Sequence, residues 1–191
     1  KNFVYESKTK IIFGENQIEN LKNELEYHKV KKLLLVYGFS SIKKNGIYNK
    51  VLEISNKLGI ELYEEANVKP NPDVSSVRSG IETVRNNGID FILAAGGGSV
   101  VDCAKSIALG VNYDGDVWDI YLRKGDSSSS LPLGVIITLA ATGSETNGNS
   151  IISNDETNEK RAVGYPHSAP QFAIIDPTYT LGVNRHHTIA G

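Results

Sequence analysis

Apolar positions along this chain follow two alternating rhythms. Unbroken apolar runs, Leu33-Leu34-Leu35-Val36-Tyr37, Phe91-Ile92-Leu93-Ala94-Ala95, Leu133 to Thr138 and Phe172-Ala173-Ile174-Ile175, read as strands covered on both faces, with Ile60 to Tyr63 as a further strand. Between them, apolar residues recur every three or four positions, as helices require. Ile18, Leu21 and Leu25 mark a helix over Glu15 to Tyr27, and Asn45 to Leu58 is stopped by Gly59. Val77, Ile81 and Val84 lie in a helix capped by Asp73 and ended by Gly88, and Val100 to Leu109 is another. Phe3 to Phe13 alternates enough for an opening strand pair closed by Gly14. Ile151-Ile152-Ser153 and Arg161 to Gly164 form a small hairpin across Asn154 to Glu159. Asp114 to Ser130 is irregular, and its four serines, Ser127 to Ser130, read as a mobile loop. Apolar strands joined by helices imply an α/β fold: a Rossmann-like parallel sheet with helices on both faces, plus the hairpin.

Composition narrows the class. With 191 residues, 40% hydrophobic and 22% charged, the chain can bury a proper core. A net charge of −2 gives no reason to expect nucleic acid or an anionic membrane as partner. No apolar run approaches a membrane span, and the lysine-rich start lacks a signal-peptide core. The single cysteine, Cys103, excludes an internal disulfide and fits a reducing compartment, so a cytoplasmic protein is expected. Within its helix Cys103 reads as a small buried residue.

The chemistry starts at Gly96-Gly97-Gly98-Ser99, between a buried strand and a helix. Glycines let a backbone come close to a ligand, and the helix's first turn offers free N–H groups to an anion. A tight turn without a ligand is the plainer alternative, but it needs fewer glycines. Ser99 and Asp102 read as a capping box for that helix. The pattern departs from G-x-G-x-x-G, because Val101 stands where the third glycine belongs. Asp116 and Asp119 lie near the distance of a ribose-binding acid, yet in an irregular stretch. A second polar strand end, Thr142-Gly143-Ser144-Glu145, should face the same crevice, since ligands bind beyond the carboxyl ends of parallel strands.

Taken together, these stretches resemble the N-terminal half of an iron-containing (group III) alcohol dehydrogenase, nearest the NADPH-dependent butanol dehydrogenase or aldehyde reductase branch. The resemblance rests on Thr9 to Gly14, Tyr37-Gly38 through Lys43-Lys44-Asn45-Gly46, Lys69-Pro70-Asn71-Pro72 and Gly96 through Lys105. It continues through Gly115-Asp116-Val117-Trp118, Ala141 through Glu145 and Ile174-Ile175-Asp176-Pro177. It implies a dehydroquinate-synthase-like dinucleotide-binding domain over residues 1–178, with 179–191 beginning a helical metal-binding domain. Gly97, Gly98 and Ser99 would hold the pyrophosphate, with Asp102 on the nicotinamide side and Asn71 on the adenosine side. Thr138, Leu139, Thr142 and Ser144 would line the crevice, and Lys160 would reach the nicotinamide ribose.

NAD-preferring relatives of this kind carry an aspartate after the second strand. Here that turn is Gly38, followed by Ser40, Ser41, Lys43 and Lys44, which implies NADP, with NAD less favoured. Phe39 and Ser40 replace the branch's usual glycines. The implied metal, iron or zinc, would be bound by an aspartate and three histidines beyond Gly191. His186 and His187 are adjacent and cannot share one helix face, so they read as solvated or substrate-cleft residues. His28 and His167 are isolated, and no catalytic or metal-binding residue is assigned within the chain. The implied partners are a small alcohol or aldehyde and a second copy in a homodimer. Two alternatives stay open: a glycerol-dehydrogenase or dehydroquinate-synthase relative, and a nucleotide-binding module without activity.

Overall fold

The computed structural model describes residues 7–139 and 143–180. Six parallel strands form one sheet: β1 (Lys10–Phe13), β2 (Lys32–Tyr37), β3 (Glu61–Glu65), β4 (Phe91–Gly96), β5 (Leu133–Ile137) and β8 (Phe172–Ile175). Their order is β1-β8-β5-β4-β2-β3. The remaining strands, β6 (Asn149–Asn154) and β7 (Glu159–Gly164), make the antiparallel hairpin.

Because side chains alternate across a strand, an unbroken apolar strand supplies two cores at once. Leu34, Val36, Ile92 and Ala94 pack on the face covered by α4 (Val74–Asn87) and α5 (Gly98–Val111). Leu33, Leu35, Tyr37, Phe91 and Leu93 pack on the face covered by α1 (Leu21–Tyr27) and α3 (Ile47–Leu58). The parallel sheet with helices on both faces and the hairpin thus stand as expected.

Local boundaries differ where glycine or long-range contacts intervene. The expected helix over Asn45 to Leu58 is preceded by a separate short turn, α2 (Ser41–Lys44), and α3 begins only after Gly46, whose φ of 83° interrupts the helix. Glu15 to Tyr27 opens with a 3₁₀ turn, Gln17–Asn20, before α1. Within the described residues the opening strand pair is a single strand, β1, parallel to β8. The stretch from Asp114 to Ser130 is less irregular than its composition implies. It contains α6 (Val117–Tyr121), capped by the Asp116 carboxylate, which accepts from Trp118 N–H at 2.9 Å and pairs with Arg78. The serine run is also hydrogen-bonded. Ser127 donates to the Leu109 carbonyl and Ser130 to that of His167, while Ser129 accepts from Asn112.

Strand order decides where a ligand can sit. The chain lays down β2, adds β3 on one side, then crosses back to place β4, β5 and β8 on the other. Helices after β2 and β4 therefore leave on opposite faces, opening a crevice beyond the carboxyl ends of those two strands. Of the segment expected to begin a second domain, only 179–180 is described, in the 3₁₀ turn Pro177–Thr180. Among the described residues, no helix is long and apolar enough to cross a membrane.

Candidate functional site

The ends of β4 and β5 lie side by side, with Gly96 opposite Ile137. Gly96 closes β4, and Gly97 caps α5 with φ −87° and ψ −175°. Among the described residues no side chain caps this helix, and no acid stands in its first turn, so the positive end of its dipole is uncompensated there. None of the three glycines is left-handed. What requires glycine is proximity: a Cβ on Gly96 would lie 2.7 Å from Val100 Cγ2. A Cβ on Gly97 would meet only Leu139, at 3.6 Å, and otherwise project into open space.

The capping box does not form. The helix starts two residues earlier than that motif needs, leaving Ser99 inside the first turn. Ser99 Oγ instead accepts from Asn71 N–H at 3.4 Å. Asn71 is held left-handed, at φ 55°, and its Oδ1 accepts from Lys160 Nζ at 2.6 Å. The hairpin is fastened at this point. Ser153 N–H donates to the Pro72 carbonyl at 2.9 Å, and Asp73, while capping α4, accepts from Asp155 N–H at 2.8 Å. Asn71, Ser99 and Lys160, far apart in sequence, are thus one cluster.

A second cluster lies deeper. Ser144 donates to Asp102 Oδ1 at 2.8 Å, and Ile151 N–H to Asp102 Oδ2 at 3.3 Å. These contacts occupy the carboxylate that a capping box would have used. Burial pushes the Asp102 carboxyl above its ordinary range, opposed by the Ser144 hydrogen bond and by Lys105. Lys105 is fully buried and donates to the carbonyls of Ser144 and Asn149 at 2.5 and 2.9 Å. Burial pushes its ammonium down to about 8, against the pull of Asp102 and Glu145. Sequence reasoning assigned no role to Lys105. The signal was a cation amid the small apolar residues Val100 to Leu109, where solvent exposure was the easier assumption.

The other expected residues are placed as follows. Thr138 N–H donates to the Gly96 carbonyl at 3.0 Å, joining the two strand ends, and Leu139 adjoins Gly97. Gly38 ends up against Val100, near the base of α5. Ser40 and Ser41 begin the exposed turn α2, whose Ser40 side chain makes no capping hydrogen bond. Lys43 Nζ lies 4.7 Å above the Tyr48 ring and 5.4 Å above that of Tyr37. Both tyrosine hydroxyls donate to Glu64. Lys43 is therefore engaged with aromatic faces beside a carboxylate. Thr142, His186 and His187 lie outside the described residues. His28 packs against Phe91 and Phe172, and His167 against Tyr165, apart from both clusters. Among the described residues, no group of three or more His, Cys, Asp or Glu could hold a metal ion.

An uncapped helix end, a close-approach glycine turn and amide, hydroxyl and ammonium donors are the complement of a phosphate-bearing ribose ligand. The model of the iron-containing alcohol dehydrogenase family matches residues 8–177. The chain belongs to this family. Over its whole length it is 49% identical to the probable NADH-dependent butanol dehydrogenase 1 of Bacillus subtilis, covering 49% of that protein. It is 36% identical over 182 residues to the NADPH-dependent aldehyde reductase YqhD of Escherichia coli, covering 94% of this chain and 46% of that one. The crystal structure of NADH-dependent butanol dehydrogenase A from Thermotoga maritima superimposes with a TM-score of 0.94 at 40% identity, covering 99% of this chain and 48% of that one. The chain spans about half the length of the curated relatives it matches.

Proposed function

We propose that this chain is the dinucleotide-binding half of an NAD(P)H-dependent alcohol dehydrogenase or aldehyde reductase of the butanol dehydrogenase kind. The observation that carries the reading is convergence at the strand-order switch: the glycine turn, the Asn71–Ser99–Lys160 cluster and the Asp102–Ser144–Lys105 cluster share one crevice. The backbone N–H groups of Gly97, Gly98 and Ser99 would hold the pyrophosphate. Gly38, Ser40, Ser41 and Asn71 would border the adenosine half. Thr138, Leu139, Thr142 and Ser144 would line the remainder, with Lys160 on the nicotinamide ribose and Asp102 beside the nicotinamide. A bound dinucleotide would supply hydride exchange with the carbon carrying the substrate oxygen. This chain is assigned cofactor binding and orientation.

Coenzyme choice turns on the turn after β2. Gly38 with Lys43 and Lys44 makes that turn tolerant of a 2′-phosphate, but Lys43 lies on two tyrosine rings whose hydroxyls reach Glu64. With relatives named NADH-dependent at 49% and 40% identity, NADH becomes the favoured coenzyme. NADPH stays as a second reading, supported by the absence of a carboxylate at Gly38 and by the relative named NADPH-dependent. Fluorescence titration of the full-length protein with each coenzyme tests this. Binding of neither overturns the function, and tighter binding of NADPH restores the second reading. Gly38→Asp fits sterically, its Cβ meeting Val68 O at 3.5 Å. It should lower NADPH affinity by about tenfold or more through carboxylate–phosphate repulsion while sparing NADH. The reading extends to a homodimer, supported by Ile11 and Phe13, exposed on β1 at the edge of the sheet formed by the described residues, and to a cytoplasmic location. Sedimentation at micromolar concentration checks the dimer.

A further inference from the structure

Lys105 has no exposed surface, and every oxygen it donates to lies on one short segment. Its Nζ reaches Ser144 O at 2.5 Å, Ser144 Oγ at 2.9 Å, Asn149 O at 2.9 Å and Asn147 Oδ1 at 3.3 Å. An ammonium has three protons, so four oxygens compete for them and all belong to residues 144–149. One turn back on the same helix, Asp102 takes the Ser144 hydroxyl and the Ile151 N–H. Two opposite charges on one face of α5 therefore clasp the segment 144–151 from within the fold.

Packing alone does not account for a lysine here. Leucine or methionine would fill the same space without desolvating a charge. What an apolar side chain cannot do is satisfy the buried carbonyl of Ser144 and the part-buried one of Asn149. Around these groups the backbone runs from Gly143, left-handed at φ 64°, through a single 3₁₀ turn, Ser144–Thr146, into β6. A segment with so little regular structure needs an outside tether to hold one shape.

We propose that Lys105 is a positioning residue: its buried ammonium fixes segment 144–149 against α5 and, through Ser144, sets the Asp102 carboxylate at the nicotinamide end of the crevice. This rests on the dinucleotide reading above for the identity of the ligand, but not for the tether itself. The consequence is a site whose hydroxyl and carboxylate are held in place before any ligand arrives.

Lys105→Met in the full-length protein separates tethering from mere packing. Methionine keeps the length of the stem and loses the donors. Amide hydrogen exchange without ligand should speed up at least about tenfold over 144–151 while β4 and α5 keep parent rates. The NADH dissociation constant should rise by about tenfold or more, with a melting temperature near the parent's, and Lys105→Arg should recover most of that affinity. Unchanged exchange over 144–151 overturns the tether. Faster exchange with an unchanged dissociation constant overturns the positioning role and leaves a structural one. A parent that binds neither NADH nor NADPH overturns the proposed function, and the exchange rates still decide the tether. Should Lys105→Met fail to fold, Ser144→Ala takes its place, since it keeps the two carbonyl acceptors and removes the hydroxyl that joins Lys105 to Asp102. It should weaken NADH about threefold or more, and parent-like affinity would sink the link through Ser144.

Discussion

The turn after β4 and the loop after β5 lie side by side, joined by the hydrogen bond from Thr138 N–H to the Gly96 carbonyl, yet opposite means hold them. The first is made by its own backbone. Gly96 lets Val100 fold back onto the turn and Gly97 opens α5, so its bend is set within about one helical turn, and Thr138, Leu139 and Asn71 only adjoin it. The second is made by a partner 39 residues away in sequence, the ammonium of Lys105. A phosphate site built on N–H groups needs no side chain and tolerates change in its surroundings. A site built on a hydroxyl and a carboxylate needs its backbone clamped, because side-chain donors are only as fixed as the chain that carries them.

Breaking the loop after β5 should have the largest effect. A Cβ on Gly148 would sit 1.9 Å from the Tyr165 carbonyl oxygen, which is backbone and cannot rotate away. Gly148→Ala should cost about 3 kcal/mol, at the upper end of overpacking, and lower the melting temperature by roughly 6–12 °C. Calorimetry checks it, and a shift under about 2 °C would mean that this loop relaxes freely. The turn after β4 should respond in binding instead. Gly97→Ala meets only Leu139 at ordinary contact distance, so folding should be nearly unaffected while NADH affinity drops about tenfold. Parallel melting and fluorescence titrations separate the two. Gly96→Ala should cost about 1 kcal/mol, because Val100 Cγ2 at 2.7 Å is a side chain that can shift. Adding Val100→Ala should recover part of that loss in a double-mutant cycle.

A smaller difference should appear with pH. Lys105 in the fold sits at about 8, below the 10.5 of the unfolded chain. Below pH 8 both states carry the proton and the cost of burying the charge is fully present. Between 8 and 10.5 the unfolded state binds more protons, so rising pH stabilises the fold. From pH 7.5 to 9 the parent should gain about 1 kcal/mol relative to Lys105→Met in urea unfolding. Parallel pH profiles for the two proteins would place the titration elsewhere.

The same contrast explains what could be read in advance. Gly96 to Ser99 stood out because strand, glycines and helix are consecutive, and Asp73 capped α4 as read because a cap acts within three residues. The Ser99–Asp102 box failed because Asp102 had a stronger claim from Ser144 and Ile151, which no local pattern announces. Lys43 reads from the sequence as a free cation in a phosphate-tolerant turn, whereas in the fold it lies over the rings of Tyr37 and Tyr48, which come from other elements. Asp114 to Ser130 looked loose because its order comes from Arg78, Leu109 and His167, all distant in sequence.

By itself, the sequence determined the parallel α/β class, both cores and the place of the glycine turn. Runs and periods of apolar residues act through burial, which depends on pattern rather than partner. Only the tertiary structure decided that Asn71, Ser99 and Lys160 meet, that Lys43 lies on aromatic rings, and that Lys105 faces inward to hold Ser144. Those outcomes depend on hydrogen bonds and charges, which act over a few ångströms between particular atoms. Which atoms come that close is set by strand order and hairpin docking, and neither is written in any local stretch of the chain.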